Sequence, residues 1–195
     1  MDNTGDLIQA LRPVLAELDR LGVRYCVGGS IASSLHGAGR STLDVDLAAE
    51  LNETTALTLA RGLEREFYVS QVGVRDAVRR KACFNLIHLG TSFKVDIFVS
   101  KDRPFDHSVL NRATLVSLDD NDTLSARITS AEDIILLKLE WYRLGNETSE
   151  RQWDDVTRVG KVYGDRLDQP YLRQWAKELG VADLLERLLE NIGRQ

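Results

Sequence analysis

Between Val23 and Leu47 the sequence leaves the chain little choice of fold. Val23 to Val27 is a short apolar run between Gly22 and Gly28, the pattern of a buried strand. Gly28-Gly29-Ser30 turns the chain, and Ser30 is placed to cap a short helix over about 31–36. Residues 37–42 read as a loop. Leu43, Val45 and Leu47 then alternate with Asp44 and Asp46, which predicts a strand with one apolar and one acidic face. Side chains two apart on a strand point the same way, so the two carboxylates aim together, their Cα atoms roughly 6.6–7 Å apart.

Two neighbouring carboxylates repel unless a cation lies between them. Mg²⁺ suits oxygen ligands and commonly joins one or two carboxylates to substrate phosphates. A solvated face of an edge strand has the same D-x-D pattern. A third carboxylate, Asp96, lies inside the apolar run Phe93 to Val99 and shares a face with Lys94 and Phe98. An unpaired carboxylate in such a strand is costly, and either a metal or a cationic partner such as Lys94 relieves the cost. Gly28-Gly29 lets backbone approach a ligand closely, and the N–H groups that follow favour an anion. Arg40 is suited either to a phosphate or to a salt bridge with Asp44 or Asp46, and Thr42 to supporting the loop. The glycine pattern is neither G-x-G-x-x-G nor G-x-x-x-x-G-K-[ST], so it supports neither a dinucleotide fold nor a P-loop.

Around this stretch the periodicity predicts an opening helix carrying Leu7, Leu11, Val14, Leu15 and Leu18, and another over 53–67. Strands 84–89 and 93–99 form one expected hairpin, and 113–118 and 123–128 a second. From Ser130 the pattern turns helical. S-x-x-D at Ser130 and S-x-x-Q at Ser149 are capping boxes, and Val181 to Ile192 traces a final apolar stripe. The expected organisation is an α+β class with a mixed sheet: an α/β core over 1–128 and a helical part over 129–195 packed on it.

The composition narrows the function. A net charge of −5 in 195 residues argues against sequence-blind nucleic-acid binding, which needs a basic footprint. One concentrated basic run exists, Arg75, Arg79, Arg80 and Lys81; it suits either an RNA or triphosphate or a solvated helix face. No apolar run is long enough to span a membrane, and no signal peptide is visible. Cys26 and Cys83 lack C-x-x-C spacing and read as reduced, buried thiols in a cytoplasmic protein. His36 and His88 read as packing or supporting residues, and His107 as a loop residue without evident partners.

Gly28-Gly29-Ser30, Asp44-x-Asp46 and Asp96 resemble, in order and context, the nucleotidyltransferase superfamily of the DNA polymerase β type. Within it, "GGSIASSLHGAGRSTLDVDL" is similar to the AbiEii-like and minimal nucleotidyltransferases of bacterial toxin–antitoxin systems, where R-x-T-x-D-x-D is typical. Lys138, on an otherwise apolar stretch, and Asp155, on the next helix, extend the similarity. The resemblance implies transfer of NMP from an NTP to an acceptor hydroxyl. Asp44, Asp46 and Asp96 would be catalytic and hold two Mg²⁺ ions. Gly28, Gly29, Ser30, Arg40, Thr42 and Lys138 would hold phosphates, with Asp155 supporting Lys138. An RNA, tRNA or protein acceptor and a toxin or antitoxin partner are implied. The same carboxylates occur in aminoglycoside- and lincosamide-modifying enzymes, and a non-catalytic binding module of the same fold is a third alternative.

Overall fold

The computed structural model describes residues 3–38, 44–119 and 123–193. The chain divides into two compact units, Met1–Ser30 with Ser41–Ile128, and Ile31–Arg40 with Thr129–Gln195.

The first unit holds a seven-stranded mixed sheet among the described residues. Its strands are β1 (Tyr25–Val27), β2 (Asp44–Ala49), β3 (Phe67–Tyr68), β4 (Cys83–His88), β5 (Lys94–Val99), β6 (Thr114–Ser117) and β7 (Ser125–Ile128). They lie in the order β3-β4-β5-β2-β1-β7-β6. Both expected hairpins, β4–β5 and β6–β7, are antiparallel, while β2 runs parallel to β5 and β1 parallel to β7. β2 alternates as the sequence demands: Val45, Leu47 and Ala49 are fully buried, while Asp44, Asp46 and Ala48 lie on the opposite, half-buried face.

Helix α1 (Asn3–Arg20) opens the chain and buries Ala10, Leu11, Val14, Leu15 and Leu18. Helix α2 (Gly29–Leu35) starts at the end of the first unit and runs into the second. Helix α3 (Glu53–Leu63) begins in a capping box between Asn52 and Thr55, and it stops four residues short of the expected Phe67. Phe67 goes instead to β3, where it pairs with His88 and is buried. That sheet pairing outweighs helix propensity at the helix end.

Helix α4 (Gln71–Arg80) carries the basic run. Ser70 caps it, and Lys81, in the left-handed conformation, ends it. Helix α5 (Pro104–Arg112) was not evident from periodicity. It starts on Pro104, whose missing N–H costs nothing there, and Asp106 accepts from the Arg103 backbone N–H.

The second unit gathers α6 (Ala131–Leu144), α7 (Glu150–Tyr163), a 3₁₀ turn Gly164–Arg166, α8 (Gln169–Glu178) and α9 (Ala182–Gly193). Residues 31–40 belong with them. His36 sits between the Thr129 carbonyl, 2.7 Å from Nε2, and the Tyr163 hydroxyl, 2.8 Å from Nδ1. A carbonyl only accepts, so Nε2 donates to Thr129. No helix among the described residues is long and apolar enough to cross a membrane.

Candidate active site

The strand register builds the acidic face. Across the parallel pair β2–β5, Asp46 is the Cα partner of Asp96, and Asp44 the partner of Lys94. Across the antiparallel pair β5–β4, Asp96 partners Asn85 and Lys94 partners Ile87. Partners in register share a face, so Asp46, Asp96 and Asn85 form one row and Asp44, Lys94 and Ile87 the next. Strands are spaced roughly 4.8 Å apart, so Asp46 and Asp96 are immediate neighbours.

The glycine turn meets this face directly. The Gly28 backbone N–H donates to the Asp46 carbonyl at 2.8 Å. Gly29 has φ +52° and lies so close to Asp46 that a Cβ there would fall inside the Asp46 carboxylate. Glycine is therefore required twice over, by conformation and by contact. Ser30 is buried at the start of α2.

Asp96 is not left unpaired. The Lys94 ammonium lies 2.7 Å from its Oδ2, and the Asn85 amide donates to its Oδ1. Of the two ways to relieve a carboxylate in an apolar strand, the structure contains the cationic partner. Lys94 is held above its ordinary pKa, chiefly by its hydrogen bond to Asp96; burial opposes this, and the charges of Asp96, Asp44 and Asp46 add to it. Beside them, Cys83 is half-buried rather than buried. Burial, then the charges of Asp96 and Asp46, push its thiol up to about 12, with Lys94 opposing.

Among the described residues no three His, Cys, Asp or Glu side chains are gathered as a metal cage. Mg²⁺ seldom uses such a cage: it prefers one or two carboxylates, water and substrate phosphates. Asp46 and Asp96 are hard oxygen donors in register with each other, Asp44 lies on the same face, and the set fits that mode of binding.

Arg40 and Thr42 lie outside the described residues. Lys138 and Asp155 belong to the second unit and pair there at 2.8 Å, with Gln152 Oε1 3.2 Å from the same ammonium. This accounts for the burial of a lysine inside an apolar helix. Gln152 thus spends its side chain on Lys138, although Ser149 still caps its backbone N–H. Asp133 likewise does more than close a box at Ser130. Its carboxylate accepts from Ser130 Oγ at 2.7 Å and from the Tyr171 hydroxyl at 2.6 Å.

The basic run on α4 is ion-paired. Arg79 and Arg80 both reach Asp76, Arg75 reaches Glu53, and Lys81 reaches Asp102. His107 lies on α5, not in a loop, and has a partner: its Nδ1 is 3.0 Å from Glu50 Oε1. Asn85 is the site residue that sequence reasoning passed over. Its signal was the alternation Cys83, Asn85, Ile87 on a strand paired with that of Asp96.

Neither a protein-family model nor a curated protein matches the sequence. Solved structures do. The antibiotic-resistance factor ANT(2'')-Ia superposes with a TM-score of 0.58 at 12% identity, over 96% of this chain and 99% of that one. An antigenic nucleotidyltransferase-like protein from Paracoccidioides brasiliensis superposes with a TM-score of 0.51 at 19% identity, over 93% and 91%. The chain therefore has a nucleotidyltransferase-like fold, a mixed α+β sheet followed by a helical C-terminal part.

Proposed function

We propose that the protein is a nucleotidyltransferase that moves NMP from an NTP to an acceptor hydroxyl. The observation that carries this reading is the register of Asp46 against Asp96, with Asp44 on the same face and the Gly29 backbone against Asp46. Asp44, Asp46 and Asp96 would hold Mg²⁺, which when bound neutralises phosphate charge and polarises the reacting oxygens. Asp96 would accept the proton of the acceptor hydroxyl as its oxygen forms a bond to the α-phosphorus. The bond from that phosphorus to the β-phosphate oxygen breaks, and pyrophosphate leaves. The Gly28–Ser30 turn, and Arg40 with Thr42, would hold the phosphates. The resemblance also gives Lys138, which Asp155 positions within the second unit, a phosphate-binding role.

For the acceptor, RNA, tRNA or protein of the toxin–antitoxin type is one reading. A small cationic acceptor of the aminoglycoside type is favoured by a specific observation: the four cations of the concentrated basic run are all ion-paired, sharing Glu53, Asp76 and Asp102, which leaves little net positive charge there. A net charge of −5 also suits a cation. Incubation with labelled NTP, Mg²⁺ and either tRNA or an aminoglycoside separates the two. Asp44→Ala and Asp46→Ala are each expected to abolish label transfer while leaving the circular dichroism spectrum unchanged. Full transfer by the double variant would sink the mechanism.

A further inference from the structure

The acidic face already contains a cation. Lys94 is two residues from Asp96 on β5 and is the register partner of Asp44 on β2, so its ammonium stands among the three carboxylates. It contacts Asp96 Oδ2 at 2.7 Å, while Asn85 holds the other oxygen of the same carboxylate. The Lys94 side chain is 41% exposed and that of Asp96 only 11%, so the lysine can swing toward solvent and the aspartate cannot. A metal ion approaching Asp96 meets the ammonium first, because both cations need the same oxygen lone pairs.

We infer that Lys94 is a resident counter-ion of the carboxylate row, and that it has to leave Asp96 before a divalent cation can use that residue. The inference rests on the nucleotidyl-transfer reading, and it assigns Lys94 a positioning role that the D-x-D and Asp96 pattern does not contain. In the metal-free protein the ammonium offsets the mutual repulsion of Asp44, Asp46 and Asp96 and, with Asn85, fixes the Asp96 carboxylate. When Mg²⁺-NTP arrives, the displaced ammonium remains on the same face, free to meet a phosphate oxygen. Metal affinity is thereby lowered for the bare ion and regained for the ion that brings its own anion.

The test uses the full chain and Mn²⁺ as the probe, titrated by electron paramagnetic resonance with and without a non-hydrolysable ATP analogue. Lys94→Met and Lys94→Gln remove the competitor, and Lys94→Arg keeps it. Bare Mn²⁺ is expected to bind the two neutral variants roughly twofold to fivefold more tightly than wild type, the range a half-exposed ion pair supports. Lys94→Arg should stay near wild type. In EDTA the neutral variants should melt below wild type, and saturating Mn²⁺ should close that gap. Unchanged or weaker Mn²⁺ binding by both neutral variants, with normal binding of Mn²⁺ plus analogue by wild type, overturns the inference alone. Absence of Mn²⁺ binding in every variant, with or without the analogue, overturns the nucleotidyl-transfer reading and this inference with it.

Discussion

Lys138→Met replaces one member of a buried ion pair by an apolar side chain of similar length. The pair spans α6 and α7 at 2.8 Å, and the two side chains are only 9% and 5% exposed. The substitution leaves the Asp155 carboxylate buried without its ammonium. Breaking such a pair from one side costs about 3–5 kcal/mol, whereas replacing both members by apolar residues is often neutral. For a chain of this size each kcal/mol moves the melting temperature by about 2–4 °C, so the single variant should melt roughly 6–20 °C lower. Lys138→Met/Asp155→Leu should recover most of that loss. Urea unfolding of wild type, both single variants and the double variant closes the thermodynamic cycle. A single variant melting within about 2 °C of wild type refutes the reasoning, as does a double variant that loses the sum of the two single losses. The rescued double variant also tests the proposed phosphate role. If it transfers label from NTP at the wild-type rate, Lys138 is a structural residue and nothing more.

Gly29→Ala places a methyl group inside the Asp46 carboxylate at a φ of +52°; NMP transfer should fall by roughly 10²-fold, the scale of an ångström-level misplacement, in a chain that still folds. Unimpaired transfer would show that Asp46 is not held by this turn. Burial, reinforced by the charge and hydrogen bond of Asp19 and opposed by Arg127, pushes the Tyr25 hydroxyl up to about 12. The unfolded chain releases that proton near about pH 10, so the stabilisation is complete below pH 10 and is lost as pH rises from about 10 to 12. Denaturation midpoints should decline across that window, and Tyr25→Phe should flatten the decline; an equal slope in the variant contradicts the assignment. Cys83, held as a thiol, should react with iodoacetamide at pH 8 on the order of a thousandfold more slowly than an unperturbed cysteine. Asp96→Asn should speed that reaction by removing a nearby negative charge.

The sequence resolved the acidic face where local periodicity governs it. D-V-D-L on β2 and K-V-D-I on β5 each declare a strand and a face, since the strand period of two depends on nothing distant. It did not show that Asp46 would stand beside Asp96, because register is a property of two strands and their connections. For the same reason Asn85 emerged as a partner of Asp96 only in three dimensions, whereas Lys94, two residues away on the same strand face, was legible as one. Helix α8 falls within the part read as helical, but its bounds were not evident although Asp168 and Pro170 mark its start: the side chain of Asp168 accepts from the Tyr171 N–H, and proline occupies the first turn. Its apolar stripe, Leu172, Trp175 and Ala176, is short and interrupted by charges. Asp133 reads as a capping residue and is also one end of a part-buried bond to Tyr171, a contact 38 residues away in sequence.

The assignment of 31–40 to the second unit has a consequence for synthesis. Ile31, Ala32, Ser33 and Ala38 are buried, His36 bonds to Thr129 and Tyr163, and Gly37 lies against Val162. On the ribosome this segment emerges early, but its partners are the last third of the chain. At about 5–20 residues per second, it waits roughly 5–20 s or more for them. Throughout that interval the partners of His36 and the Val162 side chain against Gly37 are not yet made. A nascent chain stalled near residue 128 should therefore be sticky at 31–38, and the protein should depend on chaperone cover until α7 has left the tunnel.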